Sequence, residues 1–171
     1  MLKFLMALGL ISITLEIAEP KLQHIPNVPS PLSSCISQKW NLPINQATKI
    51  SEAAASIANK DRFPSQLDVL SIVAIESGFD VSARSKSGAR GLMQILYKKS
   101  QYDIHSNISD GVYLLNDYKD RLKSNEAAIH AYNLGIGNYL KGKRNKQYLA
   151  KFNKFKKYFT TIKESNNTCI V

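Results

Sequence analysis

Cysteine is nearly missing from this chain: two residues, Cys35 and Cys169, in 171. That excludes a disulfide-stapled mini-scaffold and a four-cysteine zinc site. Proline is confined to the first part, with five of the six between Pro20 and Pro43, the last at Pro64 and none beyond. Helices therefore meet no proline break from there onward. No apolar run reaches the roughly 20 residues of a bilayer-crossing helix. No segment alternates apolar and polar side chains as a half-buried strand would. Internal repeats are absent, and low complexity is limited to a lysine-rich stretch near the C-terminus. Acidic residues are outnumbered, 13 against 23 Lys and Arg, for a formal charge of +10. The surplus points to an anionic partner: nucleic acid, anionic lipid or an acidic polymer. What is present, 44% hydrophobic and 21% charged residues, is too apolar for a disordered chain and suits one domain with its own core.

Met1-Leu2-Lys3 precedes an uncharged, mostly apolar run from Phe4 to Leu15, and Glu16-Ile17-Ala18-Glu19-Pro20 follows. A positive start and a short apolar stretch match a secretory signal. Ala18 stands where a cut would fall, but Glu16 departs from the small-x-small pattern. Residues 1–19 are thus read as a signal peptide or an N-terminal hydrophobic anchor, with a buried helix as the plain alternative. The cysteines are open to two readings. They are unrelated thiols, or one bridge closes a loop of well over a hundred residues, worth about 4 kcal/mol on the chain-entropy model.

Residues 20–46, with Pro20, Pro26, Pro29, Pro31 and Pro43, read as an extended, loop-rich leader. Beyond it, helical periodicity dominates. Helices are expected over 47–60, where Ile50, Ala53, Ala54 and Ile57 keep the i, i+3, i+4, i+7 spacing, and over 66–77, opened by the capping signature Ser65-Gln66-Leu67-Asp68. Further helices are expected over 88–99, over 109–122 after Asn107 or Ser109 as cap, over 126–133 up to Gly135 and Gly137, and over 146–163. The fold class is mainly α, with a domain over 47–163 and a tail over 164–171.

One carboxylate stands out. From Val69 to Ile75 the second of these helices is apolar nearly all round, so it is buried on every side, and Glu76 is the first charge after it. Burial disfavours the anion, and so does the negative end of a helix. Both raise the pKa towards that of a group still protonated near neutral pH, as a general acid requires. The plain alternative is an exposed glutamate at a frayed helix end.

Three blocks in register extend this reading: Glu76-Ser77-Gly78-Phe79, then Gly88-Ala89-Arg90-Gly91-Leu92-Met93-Gln94-Ile95, then Ala131-Tyr132-Asn133-Leu134-Gly135. In this order and spacing they resemble the soluble lytic transglycosylases, enzymes of lysozyme-like fold. The resemblance implies a single lysozyme-like catalytic domain and gives roles by position. Glu76 matches the single catalytic acid/base, and Ser85 a serine near the substrate's N-acetyl group. Gln94 and the backbone around Met93 match residues lining the glycan groove. Tyr132 matches the tyrosine beside the catalytic glutamate, and Asn133 helps hold that turn. Asn107-Ile108-Ser109-Asp110-Gly111 also resembles a further family block, with Tyr113 one place early. Two departures follow the Met-Gln block: Leu96 stands where methionine is usual and Tyr97 where proline is, which should extend the helix. Asp80 replaces a usual asparagine and, if aimed at Glu76, would raise its pKa further.

Glycoside cleavage generally employs two carboxylates, and Asp68 and Asp103 have no evident route to the site. The resemblance implies that Glu76 suffices, aided by the sugar's own acetamido group, with peptidoglycan glycan strands as substrate and a 1,6-anhydro sugar as product. No cofactor is expected and no metal, since His24, His105 and His130 are widely separated. The expected place is outside the cytoplasm, in the periplasm or cell envelope, or else membrane-anchored or virion-associated. There the enzyme would serve local wall remodelling or penetration by a secretion, conjugation or phage machine. Rival readings are a muramidase on the same fold and a non-catalytic basic assembly or wall-binding component. Much of the basic surplus lies between Lys141 and Lys157, among Tyr148, Phe152, Phe155 and Phe159, whose spacing puts the rings on one helix face. The lysines form a solvated face, or one that makes weak contact with anionic lipid or the wall polymer. Nucleic acid is not expected, because no binding motif accompanies the charge.

Overall fold

A computed structural model describes residues 29–96, 103–165 and Cys169. Among them are seven helices and no strands, the mainly α class expected from the periodicity. The expected signal or anchor lies outside the described residues, as do His24, Tyr97 and the helix extension expected after Leu96.

The first helix, α1 (Pro31–Trp40), lies in the stretch read as extended and corrects that reading. Pro31 sits in its first turn, where a missing N–H breaks no helical bond and a fixed φ fits. Ser30 caps it by accepting a hydrogen bond from the Ser33 N–H at 3.1 Å. Leu32, Cys35 and Ile36 are buried, and α1 packs on α2 (Ile44–Ile57). The Cys35 and Cys169 sulfurs are bonded at 2.07 Å across a sequence separation of 134.

The central helix is α3 (Gln66–Glu76), in which every residue from Asp68 to Ala74 is buried. Its capping box is complete: Ser65 receives the Asp68 N–H and Asp68 receives the Ser65 N–H. Asp68 also meets the Lys156 ammonium at 2.8 Å. Packed against α3 is α7 (Lys146–Glu164), with Tyr148, Phe152, Phe159 and Ile162 buried. Trp40, at the end of α1, lies 4.5 Å from the ring of Phe79 and 6.1 Å from that of Phe159, and so ties α1, α7 and the turn after α3 together.

The helix expected over 88–99 does not form in its described part. Residues 83–95 fold back on themselves through two isolated bridges, Arg84 to Arg90 and Arg90 to Ile95. Gly88, Gly91 and Gln94 all have positive φ, which a right-handed helix excludes. At Gly91 a side chain would also collide with Asn107, whose Nδ2 lies 2.5 Å from where a Cβ would be.

The next helix, α4 (Ile104–Leu122), starts earlier than expected, because Asp103 is its cap in place of Asn107 or Ser109. The Asp103 carboxylate accepts the Ser106 N–H at 2.8 Å. Two more helices, α5 (Asn125–Leu134) and the short α6 (Ile136–Leu140), meet at Gly135, where the chain was expected simply to stop being helical.

Candidate active site

Glu76 is the last residue of α3 and is half-buried beneath the first turn of α7. The Tyr148 hydroxyl, from that turn, donates to Glu76 Oε1 at 2.6 Å. Burial pushes the Glu76 pKa up, and the tyrosine's hydrogen bond, which favours the anion, pulls the other way without cancelling the rise. The glutamate's negative charge acts in turn on Tyr148, whose pKa is driven well above the usual tyrosine value first by burial and then by Glu76. Tyr148 is therefore a donor at any physiological pH.

Tyr132, on α5, belongs to the same cluster. Burial, followed by the charge of Glu76 and then Tyr118, raises its pKa well above the usual value. Its hydroxyl donates to the Met93 carbonyl at 2.7 Å. The Met93 N–H donates to Asn107 Oδ1 at 2.8 Å, and Asn107 Nδ2 donates to the Arg90 carbonyl at 3.0 Å. Met93 itself is fully buried against Gly111, where a Cβ would stand 2.3 Å from its sulfur. The Asn-Ile-x-x-Gly block thus has a mechanical content: it fixes the folded-back loop on α4, and Tyr132 fixes that loop beside Glu76. Tyr113 takes no part and is 75% exposed.

The remaining candidates sit farther along this framework. Gln94 Nε2 donates to the carbonyls of Ala83 and Gly91 at 3.1 and 3.0 Å, so its amide braces the loop from within. The Ser85 hydroxyl accepts the Ala89 N–H at 3.0 Å and pairs with Ser87 at 2.9 Å. Asn133 is exposed, and its Oδ1 accepts from Asn145 Nδ2 at 2.7 Å. Asp80 is not aimed at Glu76. It is exposed and accepts the Ser82 N–H and hydroxyl at 2.8 and 2.7 Å. Asp68 is committed to its cap, and among the described residues no group of three His, Cys, Asp or Glu side chains is placed to hold a metal ion.

Two residues of this arrangement escaped the sequence reading. Tyr148 falls in the apolar stripe of its helix, although it is the only ring of the four there that carries a hydroxyl. Asn145 belongs to none of the three blocks. It caps α7 by accepting the Tyr148 N–H at 3.0 Å, while its own N–H donates to His130 Nδ1 at 3.2 Å. One asparagine thereby joins α5 to the turn that presents Tyr148. An asparagine just ahead of an amphipathic run was the available signal.

The matching family model, described as the Transglycosylase SLT domain, spans residues 52–155, more than half of the chain. That span contains Glu76, Tyr132 and Tyr148. No solved structure matches the chain.

Proposed function

The chain belongs to the transglycosylase SLT domain family, a lysozyme-like family acting on peptidoglycan, and on that premise we propose that it is a lytic transglycosylase with Glu76 as its single acid/base. The carboxyl protonates the oxygen linking N-acetylmuramic acid to N-acetylglucosamine. As that bond breaks, the muramic acid's acetamido oxygen attacks C1 and holds the positive charge. The Glu76 carboxylate then removes the proton from the C6 hydroxyl of the same sugar, whose oxygen closes on C1 to give the 1,6-anhydro ring as the bond from C1 to the acetamido oxygen breaks and the neutral acetamide is restored. The glutamate ends the cycle protonated, so no second carboxylate is consumed.

The observation that carries this reading is the pairing of Glu76 with Tyr148. A buried carboxyl keeps its proton for the first step. The tyrosine, bound to Oε1, stabilises the anion needed in the second. Ser85, Gln94 and the loop around Met93 form the adjoining wall for the glycan, with Tyr132 holding the loop in place and Asn133 tied to the cap of α7. The bridge between Cys35 and Cys169 agrees with work outside a reducing cytoplasm, in the periplasm or envelope.

Product analysis on purified wall tests the proposal. Mass spectrometry of the wild-type digest should show anhydro ends, one water lighter than reducing ends, and Glu76→Gln should lose roughly 10²–10⁴-fold in rate while remaining folded. Reducing ends would make the chain a muramidase. Undiminished clearing by Glu76→Gln would remove the glutamate from the chemistry.

A further inference from the structure

The net charge of this protein is concentrated in one place. Residues 141–163 contain nine of the 23 basic side chains and none of the 13 acidic ones, so the other 148 residues lie within one charge of neutrality. Most of these residues are on α7, and the helix sorts them. At about 100° per residue, Tyr148, Phe152, Phe155, Phe159 and Ile162 fall within an arc of roughly 80°, while Lys146, Lys151, Lys154 and Lys157 cover an arc of roughly 140° centred well away from it. The first arc faces the core and Glu76. All four lysines of the second are exposed, and no ion pair reaches them among the described residues. Lys156, on the flank, is turned to Asp68. The cationic face is therefore not the rim of the groove beside Glu76.

We propose that this outer face of α7 is a docking surface for an anionic phospholipid bilayer. Complementarity of charge carries the inference, and three details select the lipid. Eight of the nine basic residues are lysines, compact point charges suited to a diffuse field of phosphates rather than to bidentate reading of a nucleic acid. The one arginine, Arg144, is held with its guanidinium 3.6 Å from the centre of the Tyr139 ring. Leu140, just before Lys141 in the approach to α7, is 67% exposed, as an apolar side chain entering a headgroup layer would be. With the lysines on the membrane, the side of α7 that meets Glu76 faces away from it. The docking requires no catalysis, so it goes beyond the functional reading and does not depend on it.

The test is sedimentation of the full chain with vesicles of phosphatidylcholine, either pure or with roughly one-third phosphatidylglycerol. Wild type should bind the anionic vesicles and lose at least about tenfold in affinity between roughly 50 and 300 mM salt. Substituting Lys146, Lys151, Lys154 and Lys157 by glutamine should lower that affinity on the order of a hundredfold, to the level seen with neutral vesicles. Any contribution of the apolar N-terminal run is common to both proteins and cancels in the comparison. A control with glutamine at Lys49, Lys60, Arg62 and Lys123 changes the net charge equally and should bind within about threefold of wild type. Unaltered binding by the α7 variant, or an equal loss in the control, would overturn the proposal. So would an α7 variant that binds vesicles normally but loses purified wall or duplex DNA. Glu76→Gln should bind vesicles like wild type, so the two proposals fail separately.

Discussion

Burial holds the proton on Glu76 to a higher pH than an ordinary carboxyl, while the Tyr148 hydroxyl favours its release. Removing the hydroxyl takes away the only one of these influences that lowers the pKa. In Tyr148→Phe the pKa of Glu76 should therefore rise further, and the alkaline limb of wall-clearing activity, where the acid is lost, should move to higher pH. Below that limb, turnover should fall roughly tenfold, because the carboxylate formed in the first step loses a hydrogen bond to a charged group, about 1.5 kcal/mol. A pH–activity series on both proteins checks the sign and the size. The burial of Glu76 and the rise in its pKa were legible in the sequence as one of two readings, since it follows directly on seven almost wholly apolar helical positions. Tyr148 was not, because periodicity sorts side chains by face and a phenol differs from a phenyl only at its tip. The aim of that tip depends on the docking of two helices far apart in sequence.

Elements with a regular apolar stripe or an unbroken apolar run were also legible. For α2, α3, α5 and α7 the expected and observed ends agree within a few residues. Residues 88–96 misled for a definite reason: Ala89, Leu92, Met93 and Leu96 keep helical spacing, yet Leu96 is 67% exposed and Ile95 is buried in its stead, beside Ala89, Leu92 and Met93. The glycines at 88 and 91 were the contrary signal. In α1 the reverse occurred, and a proline that suits a first turn was read with its neighbours as a breaker. Asn145→Ala should cost about 1 kcal/mol through the lost cap of α7 and slacken the turn that presents Tyr148. Asn145→Asp keeps an acceptor for the Tyr148 N–H and should recover most of the stability. Urea unfolding of the two variants separates the cap from the link to Asn133.

For the molecule as a whole, the bridge encloses nearly the entire fold, from α1 to the residue that follows α7 by a short tail. A loop this long restricts the unfolded chain strongly. Replacing both Cys35 and Cys169 by alanine should lower stability by about 4 kcal/mol on the chain-entropy model. The change reads out as a lower denaturant midpoint than that of oxidised wild type, matched by wild type under reductant. The helical class and the core were legible at this scale because they follow from composition and period. The closure was legible only as one of two readings, because two cysteines give no sign of their distance in space.

The hydroxyl that meets Glu76 comes from 72 residues farther along, on the last helix. A nascent chain leaving the ribosome thus carries its acid long before the partner of that acid has been synthesised. A fragment that ends ahead of Tyr148 holds every motif of the earlier blocks but lacks the hydroxyl that meets Glu76, so the acid in such a fragment has no partner from α7.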